Sequence, residues 1–183
     1  MTYCLTRKQT QLYIDCCQFA KHEHRNQVRK YTGEPYFNHV LEVSELVMDI
    51  TDDVNMWCAG VLHDVMEDCG VTKIVLQDFF GEDIATLVEW LTDVSKKEDG
   101  NRAVRKAIDL RHLAMAPARA KTVKLADLIS NSKSIVEHDK DFARVYIKEK
   151  RALMNVLTEG NPILYEKAVV LLHKAEKELN EEP

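Results

Sequence analysis

The chain is short of residues that break helices, with 6 glycines and 4 prolines among 183 residues. That scarcity favours helix over irregular structure. No low-complexity linker and no internal repeat marks off a second domain. The 5 cysteines (Cys4, Cys16, Cys17, Cys58, Cys69) are odd in number and include no Cys-x-x-Cys pair. Reduced thiols in the cytoplasm are the simplest reading. Basic residues are not in excess: 25 Lys and Arg face 30 Asp and Glu, a net charge of -5. Broad contact with nucleic acid or a membrane surface is therefore disfavoured, although a local basic pocket is compatible with it. The first residues, Met1 to Lys8, lack the apolar region of a signal peptide, and no apolar run is long enough to span a bilayer. What is present, 45% apolar and 30% charged residues, suits a soluble protein. The expectation is one cytoplasmic domain over residues 1–183.

The helical signals run from end to end, and no strand candidate survives them. Thr6 and Gln9 can form a capping box for a first helix, with Leu12, Cys16, Phe19 and Ala20 on its core face. His22 and His24 near its end suit the helix dipole and are not taken as ligands. Residues 25–36 form a loop punctuated by Gly33 and Pro35. After Pro35 a helix should run to about Ile50, with His39 in its first turn beside an apolar face of Val40, Val43, Leu46, Val47 and Ile50. Asp53 caps the next helix, which Gly70 ends. Thr72 caps a short one through Phe80, Gly81 breaks it, and Ile84, Leu87, Val88 and Leu91 face inward on the next. After a charged loop at 96–101, helix resumes from Ala103 to Ala114 and again from Ala118 to about His138. Asp139 or Asp141 caps a helix through Leu157. Asn161-Pro162 opens a last one at about 162–180, carrying Ile163, Leu164, Ala168, Leu171 and Leu172 and fraying over 181–183. The fold class expected is all-α, with nine or ten helices.

The stretch from Trp57 to Asp68 ends an apolar helix in polar groups. His63 and Glu67 are four apart, as are Asp64 and Asp68, spacings that place side chains together on a helix. An adjacent His and Asp can each give one ligand to a divalent cation. Glu67 and Asp68, one turn on, suit a base for a water on the metal. The plainer alternative is a polar helix end facing solvent. His39 and Asp127 extend the pattern to two imidazoles and two carboxylates in the order His, His-Asp, Asp. Asp127 lies in the apolar run from Lys124 to Ile129, where burying a carboxylate is costly without a cation or hydrogen bonds; an exposed helix face is the alternative. Arg25, Arg29 and Lys30 concentrate positive charge in the first loop and suit either a phosphate clamp or a solvated turn.

This order resembles the HD phosphohydrolase superfamily, and the details are similar to the RelA/SpoT-type hydrolase domain. His24 to Lys30 and Gly33 to His39 look like its opening, and Leu62 to Asp68 like its His-Asp and Glu-Asp segment. Phe80-Gly81, Leu91-Thr92-Asp93 and Val123 to Asn131 resemble its later landmarks, in order. The resemblance covers roughly residues 16–157 and extends to the stand-alone small alarmone hydrolases, the metazoan SpoT homologue among them. It leaves no room for the synthetase and regulatory domains of the long bifunctional enzymes. It implies that His39, His63, Asp64 and Asp127 bind a metal, usually Mn2+, and that Glu67 and Asp68 position or deprotonate the attacking water. It implies substrate contacts at Arg29, Lys30, Asn131 and Tyr146. The implied reaction removes the 3′-pyrophosphate of ppGpp or pppGpp, leaving GDP or GTP. Cys69, Leu128 and Val28 depart from the residues usual in the family and put substrate preference in doubt. Other nucleotides stay open: an adenosine alarmone, NADPH or a deoxynucleoside monophosphate. So do a non-catalytic nucleotide sensor, an interaction module built on the charged C-terminal helix, and any oligomeric state.

Overall fold

The computed structural model describes residues 5–132 and 139–180. Among these there are ten α-helices and one 3-10 turn, and the only β-pairing is an isolated bridge between Val28 and Pro35. The all-α expectation holds. No helix among the described residues is long and apolar enough to cross a membrane. The helices divide into two compact units, with the boundary between Thr92 and Asp93.

In the first unit, α1 (Arg7–Glu23), α2 (Phe37–Met48) and α6 (Glu82–Leu91) pack on α3 (Val54–Leu62). Helix α3 is buried at Val54 and at every position from Met56 to Leu62, so it is apolar on all sides, as a central helix must be. Local chemistry sets the ends of these elements. Thr6 and Gln9 form the capping box of α1, Asp53 accepts from the Asn55 and Met56 amides, and Thr72 accepts from Val75 at the start of α5 (Lys73–Phe80). Each satisfies amides that a helix start leaves without intrahelical partners.

One boundary differs from expectation. The helix opened by Asp53 does not run on to Gly70; it breaks at His63–Asp64, and a separate α4 (Val65–Cys69) follows. The His63 ring donates through Nδ1 to the Gly60 carbonyl at 2.8 Å. That carbonyl is the one the Asp64 amide would take in a continuous helix. Asp64 itself sits at φ -101, ψ -3, the sparsely used bridge region where many active-site residues are found. Gly70 then ends α4 with φ 72, as the C-cap reading requires.

In the second unit, α7 (Arg102–Ala114) follows a 3-10 turn (Lys97–Asp99), and α8 (Ala118–Ser132) packs on α10 (Pro162–Asn180), which also packs on α9 (Lys140–Met154). Helix α8 is described to Ser132; its expected extension to His138 lies outside the described residues, as does the fraying end at 181–183. Asp139 caps α9 by accepting from Phe142. Asn161 accepts from Ile163 and Leu164 at the start of α10, with Pro162 in the first turn. Leu164, Ala168, Leu172, Ala175 and Leu179 form the buried stripe of α10, whereas Ile163, expected on the apolar face, is 60% exposed. The i, i+4 stripe begins at Leu164 and leaves its neighbour on the outer side.

Candidate metal centre

The site in the first unit is built where α2 meets the corner between α3 and α4. His39 projects from the first turn of α2 and is 3% exposed; His63 caps α3 and is 1% exposed. Asp64 Oδ2 lies 2.9 Å from His63 Nε2 and 3.7 Å from His39 Nε2. One ligand atom from each of these residues falls within 4.8 Å of the others, close enough to share a single ion.

The donor chemistry fits a cation. The Gly60 carbonyl can only accept, so His63 Nδ1 carries a proton, and in a neutral ring the lone pair is then on Nε2. That nitrogen faces a carboxylate oxygen at 2.9 Å, which is repulsive unless positive charge lies between them. A backbone carbonyl fixing the tautomer of a ligating imidazole is a usual support for metal ligands. Asp64 is held as well: the Tyr36 hydroxyl donates to its Oδ2 at 2.7 Å. Tyr36 stands at the N-cap position of α2 without a side-chain capping bond there; its polar end is spent on Asp64 instead.

Glu67 and Asp68 occupy the exposed side of α4, one turn beyond Asp64. Asp68 Oδ2 accepts from Gln27 Nε2 at 2.8 Å. Arg29 and Lys30 lie in a tight bridged turn rather than an open loop. The Arg29 amide donates to Glu34 at 2.8 Å and Gly33 donates to Arg29 at 3.0 Å, with φ 72 at Gly33. The Arg29 guanidinium stands 5.9 Å from the Tyr36 ring centre, and the Lys30 ammonium 4.6 Å from that of Tyr31.

The remaining expected residues belong to the second unit. Asp127 on α8 is 4% exposed, which answers the choice between a buried carboxylate and an exposed helix face. Lys124 meets its Oδ2 at 2.9 Å and Asn131 donates to its Oδ1 at 2.6 Å, so the hydrogen bonds that burial demands are present. Tyr146 on α9 is also buried, its hydroxyl 3.3 Å from that of Ser132 and its ring 5.0 Å from the Lys150 ammonium. The unit gathers charge here. Burial pushes the Asp93 carboxyl up, but the ammonium groups of Lys124, Lys106 and Lys150 outweigh it and hold the group below its ordinary range. Burial, with Lys124 nearby, pushes the Lys150 ammonium down to about 8.

Sequence reasoning missed His24. It is 2% exposed, its Nδ1 lies 2.7 Å from Gln27 Oε1 and 3.4 Å from Cys69 Sγ, and its ring centre is 5.0 Å from that of Tyr36. At a helix end, a His engaged in this way and one turned to solvent read alike. Burial and the acidic Asp68 and Glu23 nearby push the Cys69 thiol up to about 11.

Comparison with known proteins agrees with this geometry. The HD domain family model matches residues 16–157, a stretch that runs through the Thr92–Asp93 boundary. The Drosophila melanogaster guanosine-3′,5′-bis(diphosphate) 3′-pyrophosphohydrolase MESH1 is 35% identical over 127 residues, covering 67% of this chain and 69% of that protein. A probable guanosine-3′,5′-bis(diphosphate) 3′-pyrophosphohydrolase of Synechocystis is 38% identical over 120 residues, but the match spans 16% of that longer protein. The solved structure of a metazoan ortholog of SpoT that hydrolyses ppGpp superimposes with a TM-score of 0.81 at 27% identity, covering 95% of this chain and 98% of that one. The chain belongs to the HD domain family and, within it, to the RelA/SpoT hydrolase type.

Proposed function

We propose that this protein is a metal-dependent pyrophosphohydrolase that removes the 3′-pyrophosphate of ppGpp or pppGpp, leaving GDP or GTP and pyrophosphate. The observation that carries the reading is the convergence of His39, His63 and Asp64 within 4.8 Å, with two further carboxylates one turn away. The cluster alone fits many metal proteins; together with Glu67 and Asp68 it fits hydrolysis. When bound, a divalent metal polarises a phosphoryl oxygen and makes water more acidic. We assign that metal as Mn2+ from the family resemblance and the mixed imidazole and carboxylate donors.

The chain's own residues divide the work. His39, His63 and Asp64 hold the metal, and Asp127 is proposed as the fourth ligand on the order of motifs along the chain. Glu67 and Asp68, exposed on α4, accept the proton of the attacking water. Arg29 offers a planar cation for the purine or a phosphate, and Lys30 a mobile one for phosphate. Asn131 and Tyr146 are assigned to the nucleotide by resemblance. The four thiols found free, Cys16, Cys17, Cys58 and Cys69, suit the reducing cytoplasm.

A panel of ppGpp, pppGpp, an adenosine alarmone, NADPH and deoxynucleoside monophosphates, assayed side by side with Mn2+ and resolved by product chromatography, tests the reading. The guanosine alarmones should turn over fastest and yield pyrophosphate. Faster turnover of another nucleotide would transfer the activity to that substrate. Tight binding with no turnover of any would make the protein a sensor.

A further inference from the structure

The short connection between α1 and α2 reaches two carboxylates of the α3–α4 corner, one from each side of its bridge. Beside Pro35, Tyr36 donates to Asp64 at 2.7 Å; beside Val28, Gln27 donates to Asp68 at 2.8 Å. The two sides are tied to each other, since the Tyr36 amide donates to the Gln27 carbonyl at 2.9 Å. We propose that Gln27 is a positioning residue for the hydrolysis: its amide holds one oxygen of Asp68 so that the other is presented to the attacking water. The proposal rests on the function proposed above.

The hydrogen-bond chemistry permits a single orientation of the Gln27 amide. An ionised carboxylate only accepts, so the NH2 group must face Asp68. The amide oxygen then faces His24 Nδ1 at 2.7 Å, and a ring N–H there completes the pair. The Asp68 contact fixes the assignment of oxygen and nitrogen, and the His24 ring matches it with the tautomer that carries its proton on Nδ1. The far end of this chain is fixed, because His24 is 2% exposed and its ring lies against Tyr36. The near end is an exposed carboxylate on a five-residue helix. Left alone, such a side chain samples several rotamers. Water could replace the hydrogen bond but not its direction; a donor already held by a buried imidazole supplies both.

Two variants test this in the metal-loaded enzyme. Gln27→Leu removes the donor, and Gln27→Glu keeps the shape but sets a carboxylate against Asp68. Both should lower kcat for ppGpp by about 10- to 100-fold, the scale of a small misplacement of a reacting group, with KM and metal content at wild-type values and thermal melts confirming the fold. If Gln27 acts through Asp68, Gln27→Leu added to Asp68→Ala should cost nothing beyond Asp68→Ala alone. The contact also has a readout apart from activity: in a 15N correlation spectrum of the magnesium-loaded protein, the Gln27 side-chain amide signals should shift on Asp68→Ala. Wild-type kcat in Gln27→Glu, losses that multiply in the double variant, or amide signals indifferent to Asp68 would each overturn the proposal. Failure of the broader function would show differently, as wild-type enzyme that releases no pyrophosphate from ppGpp.

Discussion

At the scale of single residues, the site is a set of side chains each held by a specific partner. Asp64 depends on Tyr36, and His63 on a backbone carbonyl that no substitution removes. Tyr36→Phe deletes one hydroxyl and leaves the ring contacts with His24 and His39. Losing a group that orients a metal ligand typically weakens metal affinity about 10–100-fold, and titration of the metal-free variant with Mn2+ should show a loss of that size. Unchanged affinity would mean that Asp64 is aimed without Tyr36. Arg29 makes a sharper test of substrate contact. Arg29→Lys keeps the charge but loses the planar guanidinium. If that plane binds ground state and transition state alike, KM for ppGpp should rise while kcat holds. Steady-state kinetics showing an unchanged KM would return Arg29 to a structural role beside Tyr36.

At the scale of elements, close packing sets how accurately those residues meet. A Cβ built on Gly60 would lie 3.0 Å from the Ser44 Cα and 3.2 Å from its amide nitrogen, so α2 and α3 approach at backbone distance. Gly60→Ala should push the helices apart. Overpacking costs about 1–3 kcal/mol and the gain in helix propensity returns ~1 kcal/mol, so urea melts should show a net loss of up to about 2 kcal/mol. Metal affinity should fall too, since His39 and His63 ride on these two helices. In the second unit, Arg151 on α9 donates to both oxygens of Glu176 on α10, at 2.7 and 2.6 Å. This hydrogen bonding holds the Glu176 carboxyl below its ordinary value of 4.5. A depressed folded-state pKa contributes stability that is complete above the unfolded value and is lost as pH falls through the folded one. Glu176→Gln should therefore destabilise at pH 7 by a few tenths to about 1 kcal/mol, the range for partly exposed pairs. The difference between the two proteins should vanish on acidification below 4.5. A gap that persists in acid would assign the effect to packing.

Helix ends were legible in the sequence where the chemistry is local: Thr6 with Gln9, Asp53, Thr72 and Asn161 each cap within three residues. The break at His63–Asp64 was not legible, because it depends on a ring turning back to a carbonyl rather than outward. The metal-type residues were readable from their types and order, and His39, His63 and Asp64 do meet. His24 was not, because its role is set by Gln27, Cys69 and Tyr36 together, and Cys69 lies 45 residues further along the chain. Pattern reading likewise cannot distinguish Ile163 from Leu164 at the start of a helix, where the buried stripe has no earlier turn to define it.

At the scale of the whole molecule, a metal that binds the folded chain alone adds its binding free energy to stability. Chelation should lower the melting temperature, and Mn2+ should restore it in a concentration-dependent way; a melt indifferent to both would argue against a bound metal. The central claim joins that metal to one reaction. Its most direct test is pyrophosphate release from ppGpp by wild-type protein and His63→Ala, with metal content measured on the same samples. Wild-type protein should carry metal and release pyrophosphate with GDP, while the variant should lose both together. Metal-loaded wild type that releases no pyrophosphate, or His63→Ala that releases it at the wild-type rate, would contradict the claim.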